Sequence, residues 1–337
     1  MSKKESNNHL GVGLDVGTSR IVVARQREDG YDFQSQLDAF VEVPVSRMTR
    51  KVLEKESVPH VVMDEKILVF GNEAATFANL FHAETRRPMK QGLLNPDEPE
   101  GLNLIRHIIM ALANKSRSEK EKLCFSVPAA PLIGGEIPSY HQAALKQTIT
   151  ELGYEAEAVD EGLAVIYSEL EETNFTGIGI SCGGGMCNVC FAYLSVPVFS
   201  YSTNKAGDYI DESAARASGE TATRVRAIKE EAFKFGQTDS AESNILKAIG
   251  LYYDEVIESL VDSLEDAFSK SKRVPRLSKA IPLVLSGGSA VPQGFTARFD
   301  QVLKSRKLPI GISEIRLADQ PLNATAKGAL VATLSTM

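Results

Sequence analysis

Three times along this chain a run of β-prone residues stops at a cluster of glycines, and this repetition narrows the available folds more than any other feature. The first run, Leu10-Gly11-Val12-Gly13-Leu14-Asp15, ends in a carboxylate and turns through Val16-Gly17-Thr18-Ser19-Arg20 into Ile21-Val22-Val23-Ala24. The second, Thr176-Gly177-Ile178-Gly179-Ile180, turns through Ser181-Cys182-Gly183-Gly184-Gly185 into a return strand from Cys187 to Tyr193. The third, Ile281 to Leu285, meets Ser286-Gly287-Gly288-Ser289-Ala290. Glycine lets backbone amides approach a ligand, and clustered amides make a nest for an anion. One such turn is an ordinary tight corner. Three in this order suit a nucleotide: two facing hairpin turns clamp phosphates between two lobes, and the third holds the adenosine. Asp15 is placed to order a hydrated Mg²⁺, which keeps several water ligands.

Between these turns the pattern alternates strands and helices. Helices are expected around Gly101 to Asn114, Tyr140 to Leu152 and Glu161 to Leu170, with strands at Leu123 to Val127 and Ala156 to Val159. Residues 38–94 read as short strands mixed with charged loops. A long helical region runs from Asp208 through Phe235 and from Ala241 to Lys272, its Ile257–Leu264 stretch apolar at three- and four-residue intervals. A last helix is expected from Asn323 to Leu334. Two strand–turn–strand units, each followed by further strands and helices, imply a duplicated α/β architecture.

Composition removes several alternatives. At 337 residues the chain is long enough for two lobes, and its net charge of -7 disfavours nonspecific nucleic-acid binding. No apolar run approaches the roughly 20 residues that span a bilayer. Residues 1–9 are polar, lack a secretory apolar segment and read as a flexible tail without a membrane-seeking face. Cys124, Cys182, Cys187 and Cys190 suggest no disulfide framework, so reduced thiols in the cytoplasm are expected. Cys187 and Cys190 form a C-x-x-C, but three-residue spacing on a strand sends the side chains to opposite faces, and no second Cys/His pair stands at zinc spacing. There is neither a P-loop motif nor a complete G-x-G-x-x-G fingerprint.

Taken together, the motifs resemble the actin, sugar-kinase and heat-shock-chaperone ATPase superfamily. Gly13-Leu14-Asp15-Val16-Gly17-Thr18-Ser19 looks like its first phosphate motif, Ile180 to Gly185 occupies the place of the second, and Leu285 to Ala290 looks like the adenosine motif. Within it the chain is most similar to bacterial actins. Arg87-Pro88-Met89-Lys90-Gln91-Gly92-Leu93 and Gly71-Asn72-Glu73-Ala74 resemble segments of the cell-shape actin MreB. Lys205 to Glu212 and Ala227 to Glu230 look like the magnetosome-organising actin MamK.

This resemblance implies two ribonuclease-H-like lobes around a nucleotide cleft. Lobe I would take residues 10–172 plus 320–337, with a small subdomain at about 38–94. Lobe II would take 173–319, with a small helical subdomain at about 212–262. ATP or ADP with Mg²⁺ would be held by Asp15, Gly17, Thr18, Ser19, Gly183, Gly184 and Gly185, with the metal on Asp15 through water. Lys229 and Glu230 would lie near the nucleoside, Gly287, Gly288 and Ser289 would complete the adenosine pocket, and Glu161 would orient the attacking water. Read without the resemblance, Glu161 is a carboxylate at a helix start, favoured by the macrodipole, and Lys229 belongs to a solvated helix face.

The pattern breaks at the second turn. The family's motif opens with Asp and commonly has Thr after its glycines; here stand Ser181 and Met186. Serine carries no charge to organise the metal and water, so binding is expected to outlast hydrolysis. The implied function is an ATP-binding cytoskeletal filament, self-associating and served by adaptor proteins, with no direct contact to nucleic acid or membrane. The competing readings are a small-molecule kinase of the same superfamily, which lacks here the expected large insertion, and a nucleotide-gated scaffold that does not polymerise.

Overall fold

The computed structural model describes residues 11–335 except 64, 82, 119–120, 135–137 and 237–242, so the expected tail at 1–9 lies outside the described residues. The chain opens with an antiparallel meander of β1 (Val12–Val16), β2 (Arg20–Arg27) and β3 (Gly30–Leu37). A small subdomain follows, in which β4 (Phe40–Val43), α1 (Arg47–Lys55), β5 (His60–Met63), β6 (Lys66–Phe70) and α2 (Asn72–Phe81) surround a sheet of order β4-β6-β5. The two-residue strands β7 (Met89–Lys90) and β8 (Leu93–Leu94) return the chain to α3 (Gly101–Ala113) and β9 (Lys122–Val127). Then α4 (Ser139–Glu151) leads to β10 (Glu155–Asp160), and β9 and β10 extend the first sheet in parallel beyond β1, in the order β10-β9-β1-β2-β3.

The second half repeats this plan. After α5 (Glu161–Glu169), β11 (Gly177–Cys182), β12 (Cys187–Tyr193) and β13 (Val196–Thr203) form a second meander. Helices α6 (Gly207–Ser218), α7 (Ala222–Glu231) and α8 (Ser243–Lys270) follow. Strand β14 (Ile281–Ser286), helix α9 (Phe295–Lys304), strand β15 (Ile312–Leu317) and helix α10 (Ala324–Ser335) close the chain. The sheet order β13-β12-β11-β14-β15 matches the first lobe strand for strand, including the switch from antiparallel to parallel pairing.

The lobes are joined by exchanged helices. α5 follows the last strand of lobe I yet packs on β11 and β12, while α10 follows the last strand of lobe II and packs on β1, β2 and β9. Where α5 and α10 cross, backbones touch: a Cβ on Gly328 would stand 1.7 Å from the Ala164 carbonyl oxygen. The glycines inside the strands serve the same contact. A Cβ on Gly13 would lie 2.1 Å from the Ala326 carbonyl oxygen of α10, and one on Gly179 would lie 2.3 Å from the Gly162 carbonyl oxygen of α5. These glycines let helices approach the sheets; only the turn glycines face the cleft.

The structure corrects the sequence reading at several places. Residues 38–94 contain two helices, α1 and α2, in addition to the short strands; α1 buries only Leu53, which leaves little apolar pattern to read. The helical stretch from Asp208 breaks at Gly219, which takes φ +74°, and restarts on Thr221, whose side chain accepts from the Arg224 amide. Strands β3, β13 and β15 and helix α9 went unassigned. Cys187 packs in the lobe II core and Cys190 in a separate cluster with Val159 and Ala164, on the opposite face of β12, and both thiols are buried.

Candidate functional site

The three glycine turns, α5 and α7 open onto one cleft that encloses about 350 Å³, within the usual range for small-molecule sites. Asp15, Gly17, Thr18, Ser19, Glu161, Gly183, Gly184, Gly185, Lys229, Glu230, Gly287, Gly288 and Ser289 all line it. The sequence reading had gathered these residues from five separate segments, and the fold brings every one of them to the same cavity.

The floor is a pair of carboxylates. Asp15 is the next-to-last residue of β1, beside Ser126 of the parallel strand β9, and the Ser126 hydroxyl donates to Asp15 Oδ1 at 2.6 Å. Burial pushes the Asp15 carboxyl up to about 6, and the serine hydrogen bond partly opposes that. Glu161 begins α5, which directs its carboxylate into the cleft rather than to outer solvent, and the Ser181 hydroxyl donates to Glu161 Oε2 at 3.0 Å. Burial and then the charge of Asp15 raise the Glu161 carboxyl, Ser181 and Asn188 pull it back, and Asp160 adds a small further rise. A divalent cation beside Asp15 would relieve this repulsion, and the carboxylate's second oxygen is the donor such a hydrated ion needs. The residues fit Mg²⁺.

Above the floor the two hairpin turns face each other. A Cβ on Gly184 would meet Ser19 Oγ at 2.5 Å, and one on Gly185 would meet Thr18 Oγ1 at 2.5 Å and the Gly92 nitrogen at the same distance. At Gly185 only glycine fits while the lobes stand this close, because the Gly92 nitrogen it would meet is backbone. Among the described residues, the amides of Thr18, Ser19, Gly184 and Gly185 donate to no protein acceptor, which leaves them for an anion. The turn carbonyls are tied back instead: Gly183 accepts from the Gly207 amide at 3.1 Å and from Ser289 Oγ at 2.9 Å, and Gly184 accepts from the Asp208 amide at 2.7 Å. The second and third turns and the start of α6 therefore form one interlocked frame.

The far end of the cleft is apolar, lined by Phe233, Tyr253, Val291, Pro292 and Leu322. Lys229, read alone as part of a solvated helix face, is only 7 % exposed; its Nζ lies 2.8 Å from Asp211 Oδ1 and donates to the Gly207 carbonyl at 3.1 Å. Arg226 extends this ring to Asp211 and Asp208, and Arg87 reaches Asp208 from the other lobe. The sequence reading missed Ser126, Arg226 and Arg87 as parts of the site. Ser126 could have been found from its place on a strand parallel to β1; Arg87 and Asp208 sat within segments singled out for resemblance but given no role.

A family model described as Volactin matches residues 10–333. A MamK-like protein of Paramagnetospirillum magneticum is 23 % identical over 357 residues, covering 98 % of this chain and 96 % of that protein. Among solved structures, the MamK double helical filament superposes with a TM-score of 0.70 at 19 % identity, over 96 % of this chain and 98 % of that one. MreB 5 of Spiroplasma citri bound to AMPPNP superposes with a TM-score of 0.68 at 14 % identity, over 98 % of each chain. The two-lobed architecture is thus the actin-like one. Among the described residues no helix is long and apolar enough to cross a membrane.

Proposed function

The chain belongs to the Volactin family, and on that footing we propose that it binds ATP with Mg²⁺ between its lobes and polymerises into filaments that organise or position a cellular structure. The observation that carries this reading is the pair of facing turns with four uncommitted amides above the Asp15–Glu161 floor. The amides of Thr18, Ser19, Gly184 and Gly185 would take the phosphates, and Asp15 would hold Mg²⁺ through water. Gly287, Gly288 and Ser289 with the apolar wall would take the adenosine, beside Lys229 and Glu230. Bound Mg²⁺ would offset phosphate charge and fix the phosphate orientation. The resemblance to a nucleotide-bound MreB and to a MamK filament supports both halves of the proposal.

Hydrolysis is slow in this reading. Glu161 is held by the Ser181 hydroxyl where the superfamily has a carboxylate, so the charge that would help organise the metal and the attacking water is missing. Nucleotide would favour the closed, polymer-competent conformation by binding it better than the open one. Long-lived cytoplasmic filaments follow, built from the chain itself, served by adaptor proteins and touching neither nucleic acid nor membrane directly.

High-speed pelleting with electron microscopy, in ATP, in ADP and without nucleotide, tests the proposal beside a phosphate-release assay. Nucleotide-dependent filaments with little phosphate release are expected. Absence of filaments in every condition would leave a nucleotide-gated scaffold, and rapid phosphate release with brisk disassembly would overturn the slow-turnover reading.

A further inference from the structure

Asp38 is 0 % exposed, and among the described residues neither of its carboxylate oxygens has a hydrogen-bond partner. An isolated buried charge is expensive, so such a group needs a counter-ion or gives up its charge. Burial holds the Asp38 carboxyl well above the usual range, and the influence opposing this is the charge of Arg87. Yet the Arg87 guanidinium is turned elsewhere: Nη1 donates to Asp208 Oδ1 at 3.0 Å and Oδ2 at 3.2 Å, across the cleft on α6. Asp208 has a second cation in its own lobe, since Arg226 Nη2 donates to Oδ1 at 2.9 Å. Asp38 has none.

The backbone keeps Arg87 near Asp38 whatever the lobes do. Arg86 and Phe40 exchange backbone hydrogen bonds of 2.9 and 2.8 Å, which fixes the next residue, Arg87, to the strand that begins just after Asp38. Paired strands lie about 5 Å apart, well within the reach of an arginine side chain. Asp38 also donates its amide to the Ser19 carbonyl at 3.1 Å, so it stands directly behind the first phosphate turn. Separation of the lobes removes Asp208 from reach and leaves Asp38 as the carboxylate that Arg87 can turn to.

We propose that Arg87 shuttles between two carboxylates, pairing with Asp208 of lobe II when the cleft is closed and with Asp38 of its own lobe when the cleft is open. Closure then trades an intralobe ion pair for an interlobe one, and Asp38 acts as a brake on closure while Asp208 acts as the catch. This rests on the reading that nucleotide drives closure, and it adds the device that sets the resting balance between the two states.

The two carboxylates must have opposite effects. Asp38→Asn should shift the protein toward closure and tighten AMPPNP binding about threefold, while Asp208→Asn should open it and weaken binding about tenfold, within the usual size of coupling between states. In an Arg87→Gln background Asp38→Asn should change nothing further. Lobe separation is read independently, without nucleotide, by energy transfer between dyes on Lys55→Cys of α1 and Lys247→Cys of α8, since the four native thiols are buried. Transfer should rise in Asp38→Asn and fall in Asp208→Asn. Thermal unfolding verifies folding, and Asp38→Leu serves as a second variant with the same expected sign if the asparagine form is unstable. Weakened binding or a more open cleft in Asp38→Asn, or an effect that survives in Arg87→Gln, would overturn the shuttle. Failure of the wild-type protein to bind AMPPNP would sink the nucleotide reading, and the dye measurement would still decide the shuttle.

Discussion

The two lobes share a strand order and differ in what their first hairpins carry. Counting from the matched glycines Gly13 and Gly179, Asp15 of β1 corresponds to Ser181 of β11, and the parallel neighbour of each is a serine, Ser126 in one lobe and Ser286 in the other. Thr18 and Ser19 of the first turn correspond to Gly184 and Gly185 of the second. The first hairpin therefore brings a carboxylate and two hydroxyls to the cleft, and the second one hydroxyl and glycine backbone. Duplication has preserved the places where a helix touches a sheet and altered the places where chemistry would occur. The small subdomains have diverged further still, one a three-stranded sheet with two helices and the other, among the described residues, built on α6, α7 and α8.

The shared part of that comparison breaks most dramatically at the helix crossing. Gly328→Ala forces a methyl group into the Ala164 backbone, which cannot yield as a side chain would, and should cost about 3 kcal/mol or more in urea unfolding. Gly13→Ala and Gly179→Ala, at matched sites, should each cost about 2 kcal/mol and agree within about 1 kcal/mol. Tolerance of one and not the other would show that the lobes do not share the contact.

The chemical difference is sharpened by restoring symmetry. Ser181→Asp should raise phosphate release about tenfold or more, because a positioned carboxylate again faces the metal and water. It should also lower the thermal stability of the nucleotide-free protein, since a third carboxylate joins Asp15 and Glu161. Unchanged phosphate release would mean that the missing charge does not limit turnover.

The smallest expected effect concerns pH. The Glu161 carboxyl is raised from its ordinary 4.5 to about 8. Between those values the folded chain keeps a proton that the unfolded chain has released, so the contribution to stability is whole below 4.5 and declines as pH rises toward 8. Glu161→Gln should remove that decline, raising Tm by about 2–4 °C at pH 8 and hardly at all at pH 5. An equal change at both pH values would show that the effect is packing and not titration.

Much of this arrangement was legible because the turn glycines, the strand ends and the amphipathic α8 leave strong local patterns. The strands that escaped notice, β3, β13 and β15, are all sheet edges that bury little, and β13 carries Pro197, which an edge tolerates but which masks a strand in the sequence. The site residues that escaped notice act through partners distant in sequence. Ser126 meets Asp15 across 111 positions and Arg87 meets Asp208 across 121, and no local period announces such pairs. The roles of the strand glycines were hidden for the same reason, since Gly13 answers to α10 at the other end of the chain.

The central claim is that lobe I contributes the metal-holding carboxylate Asp15 and the two facing turns together contribute the amides for one Mg²⁺-bound nucleotide. Calorimetric titration of ATP with and without Mg²⁺, on the wild-type, Asp15→Asn and Ser181→Ala proteins, tests it most directly. The account predicts one saturable site that needs Mg²⁺, weakened about a hundredfold by Asp15→Asn and less than about threefold by Ser181→Ala. Absence of binding in the wild-type protein, or equal losses in the two variants, would contradict it.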